Sequence, residues 1–587
     1  MNLNYQRIHH WRLKYLPTRT YTLILASVIG CFSGLAAVLL KTSVHHLYTF
    51  LSTGWEIKHE HIIYTVFPLI GIILTVVIVK KFLKVNLGHG IPSIIYAVSK
   101  KSSRLRPLMM YSRMVTSFIT VGFGGSVGLE APIVVTGSAI GSNVASFLHL
   151  DYKKRTILLS CGAAGALAAI FNAPIAGVLF ALEVILIEFN IASFIPLLIA
   201  SASGTIVSKI LLGEDVMFAY ELKDKFLFSD ILWFVCLGFI TGLVSVFFAR
   251  INHGVDKLFW KFENPFMKAM TGGIILGIII LFFPPIFGEG YSSIKNLLAG
   301  NANEIINNSF FQSFNQNKSY ILLFAFLLVF IKMFASSLTI AVGGSGGLFA
   351  PALFVGGVTG FCFSNAINQL RMFKLLSESN FVLVGMCGLM SGMLSAPLTG
   401  IFFIAEITGG YELFIPLMIV SSLSYMTFTY FETHSIYTKQ LVMSGNLYIG
   451  DKDKQVLSQI DMDKLIEKDL KTVTKDMTIE EMTQIISSSK RNIFPVVDED
   501  EKLLGILLLD DVREIMFDEE NRKNVKVLEV MHDPPAIVDL HDPVDLVMTK
   551  FESTNAWNLP VTNNLKYVGI LSKAAIFSSY RNTLKRI

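Results

Sequence analysis

A single carboxylate stands in an otherwise uncharged, glycine-rich stretch early in the chain. The segment GGSVGLEAPIVVTG begins at Gly124, and Glu130 is its one charged residue. At membrane depth an ionisable side chain costs about 2.5–3.5 kcal/mol on insertion scales, which makes it a functional candidate by default. When ionised, the carboxylate could fill an anion site; when protonated, it could move aside for a permeant anion. Glu130 therefore predicts a gate that responds to pH and to anion concentration, and a buried structural hydrogen-bond acceptor is the alternative.

A second copy of the same stretch lacks the carboxylate. GGSGGLFAPALFVGG begins at Gly343 and aligns without gaps at an offset of 219 residues, with Phe349 in place of the glutamate. A further pair follows the two copies: NAPIAGVLFALEV from Asn172 and SAPLTGIFFIAEI from Ser395. Two motifs in the same order at nearly the same spacing predict a duplicated block, as is common in membrane transporters.

The glycine-rich loops have a chemistry of their own. Glycines let successive backbone N–H groups converge, and a proline such as Pro351 suits the first turn of a following helix. Exposed N–H groups at a helix N-terminus bind an anion without a formal charge. Such a site can release a permeant ion that a fixed Lys or Arg would hold too tightly. Close helix packing through small residues is the alternative interpretation, but two copies, each followed by an APxxG helix, favour the anion site.

The elements that must position these loops are membrane helices. The chain has 587 residues, of which 52% are hydrophobic and only 16% charged, whereas soluble domains average about 25% charged residues. Apolar runs long enough to cross a bilayer start at Tyr21, Ser229, Thr271 and Tyr320. If each repeat crosses an odd number of times, the copies are inverted and their loops meet near the midplane. The glycine- and proline-interrupted segments predict broken helices that line a cavity.

Charge separates this membrane body from a soluble tail. Residues 451–587 hold 25 of the 44 acids and 19 of the 49 bases, so the preceding residues carry a net charge of +11. The first 19 residues contain four Lys/Arg and no acid, which places the N-terminus in the cytoplasm and favours a retained segment over a cleaved signal peptide. Because the tail has the pattern of a cytosolic module, we expect both ends on one side and an even number of crossings.

These motifs resemble the CLC family of chloride channels and chloride/proton exchangers. GHGIP (Gly88–Pro92), GLEAP (Gly128–Pro132) and GLFAP (Gly347–Pro351) are similar to the family's GSGIP, GxExP and GxFxP, and Tyr437 matches a tyrosine near the end of its membrane domain. The resemblance implies a polytopic all-α membrane protein built from two inverted repeats with broken helices. It also implies a homodimer with one chloride pore per subunit, in the plasma or inner membrane.

The resemblance also assigns roles to particular residues. Glu130 becomes the gate, and Arg113 lies where relatives often carry a lysine near the pore. The residues implied to surround the anion are His89, Gly90, Ile91, Leu129, Ala131, Leu348, Phe349 and Tyr437. His89 replaces the family's usual serine, and its imidazole N–H can still donate to an anion. This replacement leaves selectivity among small anions open, with chloride favoured.

A valine interrupts the family's inner proton route. Many exchangers have adjacent glutamates here, whereas this chain has Glu183 followed by Val184, as channel-type members do. Because valine cannot relay a proton, the sequence predicts channel-like or uncoupled conduction. Proton-coupled exchange through another route, with Glu188 as one replacement, is the alternative. Glu183 and Glu406 occupy equivalent places in the two repeats, which predicts structural hydrogen bonds at helix ends.

The tail shows two βαββα-like units that resemble a pair of cystathionine-β-synthase-type (CBS) domains. The predicted organisation is a transport domain at 1–445, a linker at 446–466, and CBS domains at 467–525 and 526–587. The adenine-nucleotide pattern G-h-h-[S/T]-x-x-D is only half present in each unit: the first has Asp511 without the hydroxyl, and the second has Ser572 without the carboxylate. A regulatory ATP, ADP or AMP site and a purely structural, dimer-stabilising tail both remain open.

Other function classes find little support in the sequence. The chain has no GxxxxGK[ST] or HExxH motif, so we expect neither an enzyme nor an ATP-driven pump. No metal site, required cofactor or nucleic-acid partner is indicated. A cation transporter would need several carboxylates in its spans, and the sequence offers about four: Glu130, Glu183, Glu188 and Glu406. Anions are therefore favoured.

Overall fold

The computed structural model describes most of the chain in two compact units, Met1–Asn446 and Leu447–Ile587. The residues described are 17–53, 60–84, 90–186, 191–213, 226–307, 309–314, 316–371, 375–444, 457, 460–489 and 491–586.

The first unit is built from helices. In its described residues the α-helices are α1 (Thr18–Thr53), α2 (Glu60–Val77), α3 (Gly90–Lys100), α4 (Ser112–Gly122), α5 (Glu130–Phe147), α6 (Tyr152–Phe171), α7 (Pro174–Phe180), α8 (Ile191–Leu212), α9 (Ile231–Trp260), α10 (Pro265–Phe282), α11 (Tyr291–Ala299), α12 (Lys318–Ala341), α13 (Phe349–Leu370), α14 (Glu378–Leu394), α15 (Pro397–Ile407), α16 (Phe414–Phe431) and α17 (Lys439–Met443). Short π-helical segments continue α2 (Ile78–Leu83) and α7 (Ala181–Ile185). Single 3₁₀ turns lie at Pro107–Met110, Phe228–Asp230, Pro284–Ile286, Ala302–Ile306 and Gln312–Phe314.

Among the described residues, nine helices are long and apolar enough to cross a membrane. Three further apolar helical segments are shorter: Pro174–Ile185, Glu378–Leu394 and Pro397–Ile407. Two of these are the proline-initiated helices that follow the NAP and SAP motifs, with Pro174 and Pro397 at the first helical position. The predicted polytopic membrane protein with broken helices is confirmed.

The two repeats meet at their glycine loops. The amide of Gly128 donates to the carbonyl of Gly347 (2.9 Å), and the amide of Gly347 donates to the carbonyl of Gly128 (2.8 Å), forming an antiparallel bridge. These residues are equivalent in the two copies, and equivalent residues bond reciprocally when a two-fold axis relates them. Helices α1–α8 and α9–α16 thus form two halves in the inverted relationship that the duplication predicts.

Small residues let neighbouring helices of each half approach closely. A methyl group added at Gly162 in α6 would lie 1.9 Å from the carbonyl oxygen of Gly137 in α5. In the second half, a methyl group at Gly385 in α14 would lie 2.4 Å from the carbonyl oxygen of Gly356 in α13. This is the small-residue packing that membrane helices use to bring their backbones together. It holds α5 and α13, the helices that follow the glycine loops, against rigid partners.

The second unit contains two small sheets of the same design. Its strands are β1 (Val473–Thr474), β2 (Ile493–Val497), β3 (Leu503–Leu508), β4 (Val538–Asp539), β5 (Asn558–Asn563) and β6 (Lys566–Ser572). Its helices are α18 (Ile479–Ser488), α19 (Leu509–Val512), α20 (Glu519–Asn524), α21 (Val527–Val530), α22 (Val544–Thr554) and α23 (Lys573–Arg586), with 3₁₀ turns at Met462–Lys464 and Ile515–Phe517. In each sheet the first strand pairs parallel with the second, and the second pairs antiparallel with the third.

The segment just before the first sheet belongs to the second sheet's core. Ile460, Met462 and Ile466 are buried against β4, β5 and α22, and Glu467 pairs with Ile570 of β6. The sequence pattern predicted a linker at residues 446–466. The structure shows that the end of this segment packs as part of the fold, because its apolar side chains complete a core that the second CBS unit leaves open.

Candidate anion-binding site

Three helices begin at one place in the membrane unit. Helix α3 begins at Gly90, α5 at Glu130 and α13 at Phe349. A methyl group added at Gly90 would lie 3.4 Å from the Cβ of Ala131, and one added at Gly347 would lie 2.8 Å from that same atom. Three helix N-termini therefore converge around Ala131, each with amides that have no partner within their own helix and with the positive end of a helix dipole.

Equivalent turns lead into two of these helices. Gly124 and Gly343 both have left-handed backbone angles, with φ of 87° and 104°, a region that favours glycine. The next residue closes each turn: Gly125 N–H donates to Thr120 (2.8 Å) and Gly344 N–H donates to Thr339 (2.9 Å). The glycine spacing of the motif thus fixes two matching turns that aim α5 and α13 at a shared point.

A cavity of about 810 Å³ reaches this point. The predicted site residues that line it are Gly90, Ile91, Ala131, Leu348 and Tyr437. Leu129 and Phe349 are buried beside it, each no more than 2% exposed. His89 falls outside the described residues, so the expected imidazole contact has no geometry here.

The cavity is strongly basic. Its basic side chains are Lys80, Arg113, Lys257, Lys261, Lys268 and Lys439. Among the described lining residues, Asp256 is the single carboxylate. Clefts lined by one sign of charge concentrate ions of the opposite sign. Arg113, which the resemblance placed near the pore, lies in this wall and is only 5% exposed.

Tyr437 offers a buried hydroxyl to the cavity. Its side chain is 6% exposed, and its hydroxyl has no hydrogen-bond partner among the described residues. An anion would satisfy this donor, whose burial without a partner otherwise costs free energy. Leu348, which the resemblance also placed at the anion, lines the same cavity as Tyr437.

An ion pair network fastens the segment that carries Tyr437. Glu432, at the end of α16, accepts hydrogen bonds from Arg250 (2.9 Å) and Lys439 (2.5 Å). Burial alone would raise the pKa of Glu432, but these two hydrogen bonds and charges outweigh it and hold the pKa below its ordinary value. The anchor is therefore present at neutral pH and weakens only as the pH falls through that lowered value.

The Glu130 carboxylate is buried and hydrogen-bonded. Its side chain is 2% exposed, and its Oε1 accepts a hydrogen bond from the Tyr291 hydroxyl at 2.6 Å. Its Oε2 has no hydrogen-bond partner among the described residues, although the amide of Ala350 in the other repeat faces the carboxylate. The described lining of the cavity does not include Glu130. The carboxylate thus faces the first turn of α13.

Three polar residues near Glu130 were not identified from the sequence. Glu289 accepts a hydrogen bond from the Leu129 amide (3.2 Å), Tyr291 binds Glu130, and Lys332 is fully buried within α12. Glu289 also adds a carboxylate to the four counted from the sequence. A lysine inside the apolar run that starts at Tyr320 was a usable signal, because charges within a span are costly. Glu289 and Tyr291 follow two prolines and had no comparable signal.

The two symmetric glutamates each cap a helix of the opposite repeat. Glu183 accepts from the amides of Leu398 (3.0 Å) and Thr399 (2.8 Å) and from the Thr399 hydroxyl (2.7 Å). Glu406 accepts from the amides of Ile175 (2.8 Å) and Ala176 (2.9 Å). The predicted hydrogen bonds at helix ends are confirmed.

Val184 is partly buried in the π-helical turn after α7, next to the capping residue Glu183. Glu188, the candidate replacement for the inner proton relay, lies outside the described residues. Glu183 itself already accepts three hydrogen bonds. Among the described residues of this turn, no second carboxylate stands beside the valine.

In the tail, both candidate nucleotide residues cap local structure. Asp511 accepts from the Leu508 amide (2.8 Å) and pairs with His532 (3.1 Å). Ser572 accepts from the Ala575 amide at 3.1 Å. Asp and Ser commonly make such hydrogen bonds at the first turn of a helix.

Comparison with known proteins agrees with this architecture. The family profile described as "Voltage gated chloride channel" matches residues 70–429, and that of the CBS domain matches residues 459–518 and 527–582. The H(+)/Cl(-) exchange transporter ClcA of Cronobacter sakazakii is 30% identical over 416 residues, covering 68% of this chain and 84% of that protein. The transporter of the same name from Vibrio cholerae serotype O1 is 28% identical over 418 residues, with the same coverage.

Solved structures share the fold. A slow cyanobacterial Cl⁻/H⁺ antiporter superposes with a TM-score of 0.62 at 22% identity, covering 73% of this chain and 98% of the antiporter. A eukaryotic CLC transporter gives a TM-score of 0.62 at 17% identity, covering 94% of this chain and 97% of that one. The resemblance drawn from the short motifs is confirmed.

Proposed function

This chain belongs to the voltage-gated chloride channel family and carries two CBS domains, and we propose that it moves chloride across a membrane. The observation that carries the proposal is the meeting of three helix N-termini, at Gly90, Glu130 and Phe349, at the end of a basic cavity. Backbone amides and the Tyr437 hydroxyl would bind an anion there by partial charges, which permits release as well as binding. The basic walls would raise the local concentration of anions.

Glu130 acts as the gate in this proposal. Its ionised carboxylate occupies the position where an anion would meet the first turn of α13, with the Ala350 amide facing it. Protonation removes the charge that favours this position, because helix N-termini attract negative groups. The side chain then leaves and an anion takes its place. Lower pH should therefore increase chloride flux.

We further propose that conduction is channel-like or uncoupled, because Val184 stands where a proton-relaying glutamate is usual and Glu183 is committed to capping α15. Proton-coupled exchange is the second candidate. It is favoured by the relatives named H(+)/Cl(-) exchange transporter and would need another proton route.

Reconstitution in liposomes tests both parts. With a chloride gradient, the reversal potential is measured with and without a pH gradient. Uncoupled conduction gives the chloride Nernst potential at both settings; a shift with the pH gradient would instead establish proton coupling. Glu130→Gln should make chloride flux independent of pH, whereas Glu412→Gln, which changes an exposed glutamate, should leave the pH dependence intact. Full pH dependence in Glu130→Gln would refute the gate.

Assembly and orientation complete the proposal. We propose a homodimer in which each subunit has its own pathway, with the basic N-terminal residues and the CBS tail in the cytoplasm. Light scattering of the detergent-solubilised protein measures the mass, and cysteine labelling from either side of a vesicle measures the orientation. A monomer, or ends on opposite sides, would contradict these two points.

For the tail we propose a structural rather than a nucleotide-binding role, because Asp511 and Ser572 already cap helices. Millimolar ATP, ADP or AMP should leave the thermal unfolding temperature of the protein unchanged. A reproducible increase with any of the three would assign the tail a nucleotide site.

A further inference from the structure

A second, partly exposed carboxylate lies beside the residues of the gate. Glu289 Oε1 accepts the Leu129 amide at 3.2 Å, and Leu129 is the residue before Glu130. Tyr291, two residues after Glu289, donates its hydroxyl to Glu130 Oε1 at 2.6 Å. One short segment of the second half therefore holds both the gating carboxylate and the amide next to it.

The same segment is bonded to the first glycine loop along its length. Gly288 N–H donates to the Gly124 carbonyl (3.1 Å), and the Ser126 hydroxyl donates to the Ile286 carbonyl (2.8 Å). With the contacts of Glu289 and Tyr291, four hydrogen bonds join residues 286–291 to residues 124–130. The position of Glu289 relative to Glu130 is thus fixed by the backbone as well as by side chains.

A buried lysine completes the cluster. Lys332 is 0% exposed, and its ammonium donates to the carbonyls of Ile286 (3.1 Å) and Gly288 (2.8 Å). Its charge acts on Glu289, as do the charges of Lys41 in α1 and Glu130 in α5. The phenols that face Glu130 are Tyr291 and Tyr437. These are the titratable and charged groups around the two carboxylates in the described structure.

We propose that Glu289 is a second titratable carboxylate of the gate and that Lys332 is its counter-charge, so that the pair sets the pH at which Glu130 opens. The inference rests on the gating role of Glu130 proposed above. It assigns Glu289 and Lys332 as positioning residues that act on the gate through electrostatics.

The charge balance of the cluster explains this role. Two carboxylates close to each other in a low-dielectric site cannot both ionise at low cost, whereas a nearby cation favours ionisation. An ionised Glu289 makes Glu130 take up its proton more readily, and Lys332 works in the opposite sense. The two carboxylates then titrate as a coupled pair, and the gate responds to their joint protonation.

The test is the pH dependence of chloride flux in liposomes for the full-length protein. Glu289→Gln removes the repelling charge but can still accept the Leu129 hydrogen bond. It should move the pH of half-maximal flux to more acidic values by about one pH unit. Lys332→Met should move it to more alkaline values. The controls Glu304→Gln and Lys318→Met change exposed residues by the same charge and should not shift the profile.

Because Lys332→Met also removes two buried hydrogen bonds, the decisive variant is Glu289→Gln, which keeps the size of the side chain. An unshifted or alkaline-shifted profile in Glu289→Gln would overturn the inference. A merely structural role for Glu289 would lower the amount of folded protein without moving the pH of half-maximal flux.

The Glu130→Gln background separates this inference from the proposed function. If Glu130→Gln alone keeps its pH dependence, the gate itself is refuted. If Glu130→Gln is independent of pH and Glu289→Gln has the wild-type profile, only the role of Glu289 fails. When both proposals hold, adding Glu289→Gln to Glu130→Gln leaves flux independent of pH.

Discussion

The two glycine loops have nearly the same backbone conformation, but different side chains pack around the residue that follows each loop. Both contain a left-handed glycine, close with an equivalent hydrogen bond and pair with each other through Gly128 and Gly347. After the first loop, however, Glu130 is held by Tyr291. After the second, Phe349 packs against Phe171 and Phe403, with ring centroids 5.2 Å away in each case. Duplication gave the two loops a symmetric backbone frame, and the side chains packed against each copy determine its chemistry.

The surroundings of Glu130 and Phe349 differ because different segments of the chain pack against them. Residues 286–291 belong to the second half but pack on the loop of the first half. The aromatic pair around Phe349 comes from α6 and α15, one helix of each half. The frame is therefore a structural property of both repeats, while the proposed titratable cluster surrounds only the first glycine loop.

The largest expected effect is on stability, and it comes from removing the aromatic side chain that follows the second loop. Phe349→Ala deletes a side chain that is 1% exposed and should lower the free energy of unfolding by about 3–5 kcal/mol. The pH of half-maximal flux of the surviving protein should stay unchanged, because Phe349 carries no charge. Denaturant unfolding in detergent and flux against pH measure the two quantities. A pH shift as large as that of a Glu130 variant would break the proposed division of roles.

Replacing the closely packed glycine of either half by alanine should destabilise the protein, but to different degrees. A methyl group at Gly162 would meet a carbonyl oxygen at 1.9 Å, and one at Gly385 would meet one at 2.4 Å. Overpacking costs typically about 1–3 kcal/mol, so Gly162→Ala should be the more destabilising of the two. Thermal unfolding of both variants, with Gly254→Ala at an open position as control, checks the order. Equal stability of Gly162→Ala and the control would contradict the close approach.

The last prediction that compares the two halves concerns the two capping glutamates. Glu183 accepts three hydrogen bonds and Glu406 accepts two. Glutamine turns an NH₂ group toward backbone donors, and a hydrogen bond to a charged group is worth about 1.5–3 kcal/mol. Glu183→Gln and Glu406→Gln should therefore each destabilise the protein, with the larger loss for Glu183→Gln. Both should keep the wild-type pH profile of flux, and a shifted profile in either would give that glutamate a part in proton movement.

In the tail, local sequence patterns predicted helices and strands but not all of the packing between them. Its predicted helix at MTIEEMTQIISSS and the two following strands appear as α18, β2 and β3, because apolar periodicity and capping signals are local. Thr478 and Glu481 form a capping box at the start of α18. The packing of Ile460 and Met462 into the core of the second sheet is not local, and the sequence pattern left these residues in a predicted linker.

Composition, periodicity and the repeated motifs by themselves determined the membrane spans, the duplication, the broken helices and the doubled βαββα pattern of the tail. They also identified Glu130, since a carboxylate in a glycine-rich membrane loop is costly wherever the loop folds. Only the tertiary structure decided what surrounds it. Tyr291 lies 161 residues from Glu130 in the chain, and Lys332 reaches the same cluster from a third segment. No sequence period links such positions; their meeting depends on the inverted packing of two halves, which brings distant segments to one buried, low-dielectric site.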